Sequence, residues 1–214
     1  MLDELLFAAE GRLSIHRIEP TEKAITICIA GTQDRAACPA CGQESDRIHS
    51  VYERHPADLP LVGRAVGLCA RVRRFFCDNA NCRRRTFAEQ FPAMLAVKAQ
   101  RTQRLMAQQR EIAFALGGEA GQELCRRLGM PLSADSLIRS IRDSPEPEVR
   151  TPHVLGLDDW AKRKGQEYGT ILVDLETRQR VDVLDSRSAE AVAEWLRAHP
   201  GVEIVSRDRG SEWN

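Results

Sequence analysis

Cys38-Pro39-Ala40-Cys41 and Cys77-Asp78-Asn79-Ala80-Asn81-Cys82 are the two stretches that decide how this chain is read. Each sets two thiols on one short turn, and the two knuckles together offer four soft donors at tetrahedral corners. Zinc is the ion that suits such a set, bound by sulfur at about 2.3 Å. A shell of four cysteines is closed, so Cys38, Cys41, Cys77 and Cys82 are expected to hold a structural ion with no position open for chemistry. Metal binding of this kind contributes roughly 10–16 kcal/mol of apparent folding energy, which explains how so small a segment folds. His49 and His55 lie between the knuckles and read as surface residues, since four thiols already complete the shell.

Outward from the knuckles, the pattern is first β and then helical. Residues 1–11 suggest a short helix, and Leu13 to Ile18 and Lys23 to Ile29 suggest two strands about the turn Glu19-Pro20-Thr21-Glu22. Residues 47–55 suit a strand, and residues 59–76 a hairpin turning at Gly63. Residues 93–117 show helical periodicity through Leu95, Leu105, Ile112, Ala113 and Leu116, and stop at Gly117-Gly118. Residues 119–128 give a second helix, ended by Gly129 and Pro131, and Ser133 caps a third that runs to Arg142. Helix, short glycine-containing turn, helix is the pattern of a helix-turn-helix.

Ser144-Pro145-Glu146-Pro147-Glu148 is a linker, because its two prolines resist both helix and central strand. After it come an apolar strand from His153 ending at Asp158, strands at 168–175 and 180–184, an amphipathic helix at 189–199, and a strand at 202–205 that ends near Asp208. A first strand ending in one aspartate and a fourth followed by another is the spacing of a ribonuclease-H-like core. Carboxylates at adjacent strand ends converge and can hold two divalent ions for in-line phosphoryl transfer. Taken alone, each aspartate also reads as an ordinary loop residue.

Lys and Arg number 31 and so do Asp and Glu, giving no net charge, but the charges are not evenly spread. Basic against acidic residues run 9 to 6 over 38–92, 9 to 7 over 93–150 and 9 to 12 over 151–214. A mildly basic middle suits phosphate, and an acidic end suits metal-binding carboxylates. Arg71, Arg73, Arg74, Arg83, Arg84 and Arg85 gather about the second knuckle as candidate phosphate contacts. On the third helix, Ser136, Arg139, Ser140 and Arg142 are the side chains expected to reach DNA from the major groove. The bland alternatives are a solvated arginine face and plain helix packing. Cys28, Cys69 and Cys125 read as small core residues. Asp3 and Glu4 stand where a secretory signal would be basic, and the longest uncharged apolar run, Ala24 to Thr32, is too short to span a membrane. A reducing cytoplasm is the expected setting, and there paired cysteines bind metal rather than oxidise.

Val154-Leu155-Gly156-Leu157-Asp158-Asp159-Trp160-Ala161, followed by Arg163-Lys164-Gly165 and Tyr168-Gly169-Thr170, resembles the start of the catalytic domain of DDE transposases of the IS-L-three insertion-sequence type. Val205-Ser206-Arg207-Asp208-Arg209-Gly210 resembles that family's second acidic segment, and the ribbon and helix-turn-helix stand in its usual order. The resemblance implies an α+β multidomain chain: N-terminal helix and strands (1–37), zinc ribbon (38–92), helix-turn-helix (93–143), linker (144–152) and the N-terminal part of a ribonuclease-H-like domain (153–214). It makes Asp158 and Asp208 the first two catalytic acids and magnesium ligands, and Arg163 and Lys164 DNA or sheet-edge contacts. Asp159 points to the opposite face and is the weaker choice. The family's partners are the terminal inverted repeats of the element in duplex DNA, bound by a dimer or larger assembly. Its third acid, a glutamate on a later helix, has no place before Asn214, and Glu212 lies too close to Asp208 to substitute. The expectation is therefore a truncated transposase without strand cleavage of its own. A DNA-binding repressor or a remnant of the element is the alternative.

Overall fold

The computed structural model describes residues 6–7, 12–145, 150–163 and 167–207. The chain divides into two units, Met1–Ser144 and Pro145–Asn214. In the first, β1 (Leu13–Pro20) and β2 (Ala24–Gly31) form an antiparallel hairpin. Thr21 closes its turn, with its amide and its hydroxyl both donating to the Ala24 carbonyl. Two short strands, β3 (Ala36–Ala37) and β4 (Glu44–Ser45), carry the first knuckle between them. β5 (Ile48–Arg54), β6 (Ala57–Leu61), β7 (Arg64–Phe76) and β8 (Thr86–Ala88) follow.

β7 is the spine of the six-stranded sheet, pairing parallel with β2 and antiparallel with β5, β6 and β8. Val62 and Gly63 turn the β6–β7 hairpin, both at positive φ (47° and 73°) as a two-residue hairpin turn of matching twist requires. Along the first part of β7, Val66, Leu68, Ala70 and Val72 are buried, the period of two expected of a half-buried strand. They pack with Ile25, Ile27 and Ile29 of β2 and with Phe91, Met94 and Leu95. Past Val72 the phase changes. Phe75 is the next buried residue, and it joins Cys38 and Phe87 in a separate small core at the knuckles.

The helix expected over 1–11 falls mostly outside the described residues, while helices α1 (Gln103–Leu116), α2 (Glu119–Arg127) and α3 (Ala134–Arg142) follow the sheet. Their core is Leu105, Ala113, Cys125, Met130 and Leu137. The helix expected over 93–117 starts only at Gln103. Met94 and Leu95 are spent instead on covering the sheet, with both their amides donating to the Phe91 carbonyl. Lys98 has φ of 62°, a left-handed conformation that a helix interior does not admit. Thr102 then caps α1, accepting from the Leu105 amide at 3.3 Å.

Asp58 on β6 ties sheet to helices. It is 2% exposed and accepts from the Thr102 hydroxyl (2.7 Å), the Leu59 amide (2.8 Å) and the Arg104 guanidinium (Nε, 2.7 Å). Gln109 extends the network across α1, accepting from Arg101 at 2.6 Å and donating to the Met130 carbonyl at 3.0 Å.

The second unit holds β9 (Val154–Arg163), β10 (Glu167–Asp174), β11 (Gln179–Leu184), α4 (Ala189–Ala198) and β12 (Ile204–Arg207). The sheet order is β11-β10-β9-β12, antiparallel except for the parallel β9–β12 pair. Leu155, Leu157 and Leu172 pack against Val192 and Trp195 of α4. β9 does not end at Asp158 as the apolar run suggested; it continues as strand to Arg163, paired with β10 except at a bulge that skips Lys162. The continuation is polar and exposed, so hydrophobicity alone gives no sign of it. No helix among the described residues is long and apolar enough to cross a membrane.

Candidate functional site

The two knuckles are built by backbone geometry. The Cys38 amide donates to the Gln43 carbonyl at 2.9 Å, and the Gly42 amide donates to the Cys38 carbonyl at 2.8 Å. Gly42 takes φ of 75°, the left-handed conformation that a glycine reaches without strain. In the second knuckle the Cys77 amide donates to Arg85 and the Cys82 amide to Asn79, while the Arg84 amide reaches the Cys82 sulfur at 3.4 Å. Phe75 and Phe87 stack beneath at 5.9 Å.

These turns bring all four sulfurs within 4.8 Å of one another. The Cys38–Cys82 sulfurs are 3.9 Å apart and the Cys41–Cys77 sulfurs 3.6 Å. Four bonds of about 2.3 Å to one tetrahedral ion put sulfurs about 3.8 Å apart, so the donor set fits zinc. The thiols also differ in acidity. Burial pushes the Cys38 thiol up, but the Ala40 and Cys41 amides and the neighbouring thiols outweigh it and bring it down to about 7. At Cys77 the Asn79 amide pulls down, yet loss of solvent and the Cys41, Cys82 and Cys38 thiols push it up to about 12. Four thiols cannot all ionise together without a cation among them; a dication relieves that conflict.

The arginines expected at the DNA divide into three groups. Arg74, Arg83, Arg84 and Arg85 are exposed about the second knuckle, with Arg74 donating to the Thr86 hydroxyl at 3.3 Å. Arg71 is exposed too, but it lines a depression with His16, Arg17, Cys28, Glu53 and Cys69. Arg73 departs from the expectation. Its side chain is 17% exposed and its guanidinium grips Glu89 (2.6 Å) and the Gln33 carbonyl (2.6 Å), so it is spent inside the fold rather than on phosphate. Gly31 lies against this pair, where a Cβ would come within 2.7 Å of Glu89 Oε2.

On α3, Ser136, Arg139 and Ser140 line a depression shared with Arg101, Met106, Gln109 and Arg110 of the α1 region, and Arg142 is exposed nearby in sequence. Cys125 is fully buried, as expected of a core thiol, whereas Cys28 and Cys69 are half-exposed on the sheet.

In the second unit Asp158 is exposed, next along β9 from the buried Leu157, and its carboxylate accepts from the Asp159 amide at 2.8 Å. Asp159 pairs with Arg187 at 3.4 Å. β12 runs parallel to β9 with Arg207 opposite Leu157. Arg163 is exposed at the end of β9. Asp208 and Lys164 lie outside the described residues.

Residues 34–82 match the family described as the zinc-finger of transposase IS204/IS1001/IS1096/IS1165. Over 209 residues the chain is 24% identical to the transposase for insertion sequence element IS1001 of Bordetella parapertussis, covering 94% of this chain and 50% of that one. Both likenesses point to the insertion-sequence transposases of the IS-L-three type. It spans about half the length of the curated relative it matches.

Within this transposase relative, the groups that sequence reasoning missed are Asp58, Thr102, Gln109 and Glu89, all buried and polar. Thr102 carried a local signal, a threonine before the periodic run with an amide to cap three residues on. Asp58 and Glu89 carried none, because the partners that make them tolerable lie far away in sequence.

Proposed function

We propose that this chain recognises the terminal inverted repeats of an insertion sequence in duplex DNA and contributes the first part of a metal-dependent cleavage and strand-transfer core. The observation that carries the reading is the four-thiol cluster, in a chain that aligns over 94% of its length with an insertion-sequence transposase. The zinc ribbon presents Arg74, Arg83, Arg84 and Arg85 to phosphate, with Arg71 further along the same strand. α2 and α3, joined by the turn through Gly129 (φ 79°) and Pro131, act as a helix-turn-helix. α3 enters the major groove with Ser136, Arg139 and Arg142, and Arg101 and Arg110 flank it.

The second unit is read as the opening of a ribonuclease-H-like core. Support comes from its β11-β10-β9-β12 order, with α4 crossing over to a fourth strand parallel to the first. Asp158 is the first catalytic acid and Asp208 the second. Arg207, which precedes Asp208, sits opposite Leu157, which precedes Asp158. Magnesium held there would activate the attacking oxygen and neutralise the leaving one. Arg163 and Lys164 would steady the strand being cut. Work on paired element ends implies a homodimer or larger assembly, acting in the cytoplasm where the element's DNA lies.

The test is a mobility shift on duplexes carrying terminal repeats, with and without a zinc chelator. Retarded repeats, released by chelator and poorly competed by random duplex, are expected. No retardation in zinc would overturn the reading. In the intact transposase, Asp158→Ala should abolish cleavage while leaving binding unchanged; loss of binding counts against its catalytic assignment.

A further inference from the structure

One open face of the six-stranded sheet carries a second set of metal-ligating side chains. Cys28 on β2 and Cys69 on β7 are direct partners in the parallel pair. β5 runs antiparallel along the other edge of β7, with Arg54 opposite Ala70 and Glu53 opposite Arg71, which brings Glu53 and the following His55 alongside Cys69. The ligating atoms of Glu53, His55 and Cys69 all lie within 4.8 Å of one another. Cys28 stands outside that cluster, beside Cys69 on the neighbouring strand and lining the same depression.

We propose that Glu53, His55 and Cys69, with Cys28 as fourth donor, form a second site for a thiophilic divalent cation of the zinc class. The donor chemistry is the first reason. Thiolate, imidazole and carboxylate are zinc's three protein ligands, and softer and harder ions each favour only part of that set. The geometry is the second. His55 Nε2 stands 3.7 Å from Glu53 Oε2, too long for a hydrogen bond. Two light donors on one zinc at about 2.0–2.1 Å are roughly 3.4 Å apart, so a small inward shift of exposed side chains completes the site.

Charge is the third reason. Two thiolates and a carboxylate exceed the charge of a dication, and Arg17 and Arg71 line the same depression. Arg17 also donates to the Cys28 sulfur at 3.8 Å. The site is distinct from the ribbon: at about 3.3 Å per residue, the strand from Cys69 to Cys77 spans roughly 26 Å.

The experiment is metal content and cobalt spectroscopy on the whole chain, loaded with Zn²⁺ or Co²⁺ and freed of loose metal. Wild type is expected to retain two equivalents. Cys69→Ser and His55→Ala should each retain one, with the thiolate-to-cobalt charge-transfer band of the ribbon still present. His55 is exposed, so that variant keeps its fold. A single equivalent in wild type, or two in both variants, overturns the site. Cys28→Ser should weaken the second equivalent by more than the roughly 10–100-fold lost with an outer hydrogen-bond partner. Unchanged affinity overturns its place as fourth donor.

Discussion

The two ends of β7 are held by different physics. Near its start, Val66, Leu68, Ala70 and Val72 sink into a core shared with β2 and the 91–95 segment, and hydrophobic burial alone suffices. Near its end, the fully buried apolar side chains reduce to Phe75 and Phe87 beside Cys38. So thin a core offsets little of the entropy of ordering β3, β4 and two knuckles, and a bound structural zinc would add to it. One strand thus joins a region with a broad apolar core to a region whose small core leans on a four-cysteine metal site.

Removing zinc tests that contrast most directly. Chelation, or Cys41→Ser, should cost the ribbon end most of the roughly 10–16 kcal/mol that a structural zinc supplies. Hydrogen exchange should then rise at β3, β4 and β8 and stay slow at Ile27 and Ile29. Equal loss at both ends would break the comparison.

Glu89→Ala comes next, because it strands the Arg73 guanidinium in the interior. Breaking a buried pair from one side costs about 3–5 kcal/mol, to be read from the denaturant midpoint. Leu68→Ala should cost about 2–5 kcal/mol by the same measurement, and this loss should persist whether or not zinc is bound. Thr102→Ala should cost about 1 kcal/mol through its lost cap, with faster exchange in the first turn of α1.

The last test is read as a slope on the pH axis rather than as a single midpoint. Burial pushes the Asp58 carboxyl up, but Arg104, the Thr102 hydroxyl and the Leu59 amide outweigh it and hold it below the usual carboxylate range. Its contribution is therefore present above the ordinary carboxylate pKa and fades as pH falls through the lower, folded-state value. Asp58→Asn should lower stability at neutral pH and flatten its acid limb. An unchanged acid limb would remove Asp58 from that role.

The knuckles and the β1–β2 and β6–β7 hairpins were legible because their signals are local: two cysteines on a turn, alternation about Glu19-Pro20, a glycine at position 63. The start of α1 was not, because the periodicity of Leu95 and Leu105 is the same whether Leu95 sits on a helix or covers a sheet. The fate of Arg73 was hidden for a related reason. Its run of arginines suggests solvent, and only Glu89, brought across by β8, makes one of them internal. At the acidic end the strand pattern was visible, but the length of β9 beyond Asp158 depends on pairing with β10 rather than on its own composition.

Gly31 sets a constraint on how this sequence can drift. A methyl group there would stand 2.7 Å from Glu89 Oε2 and 3.0 Å from Arg73 Nη2. Positions 31, 73 and 89 therefore form an epistatic triple. A side chain at 31 would have to push the Glu89 carboxylate and the Arg73 guanidinium aside while the pair stands, and losing either partner first leaves a buried charge. Descendants that change one should change the others, and related chains should show these three positions moving together.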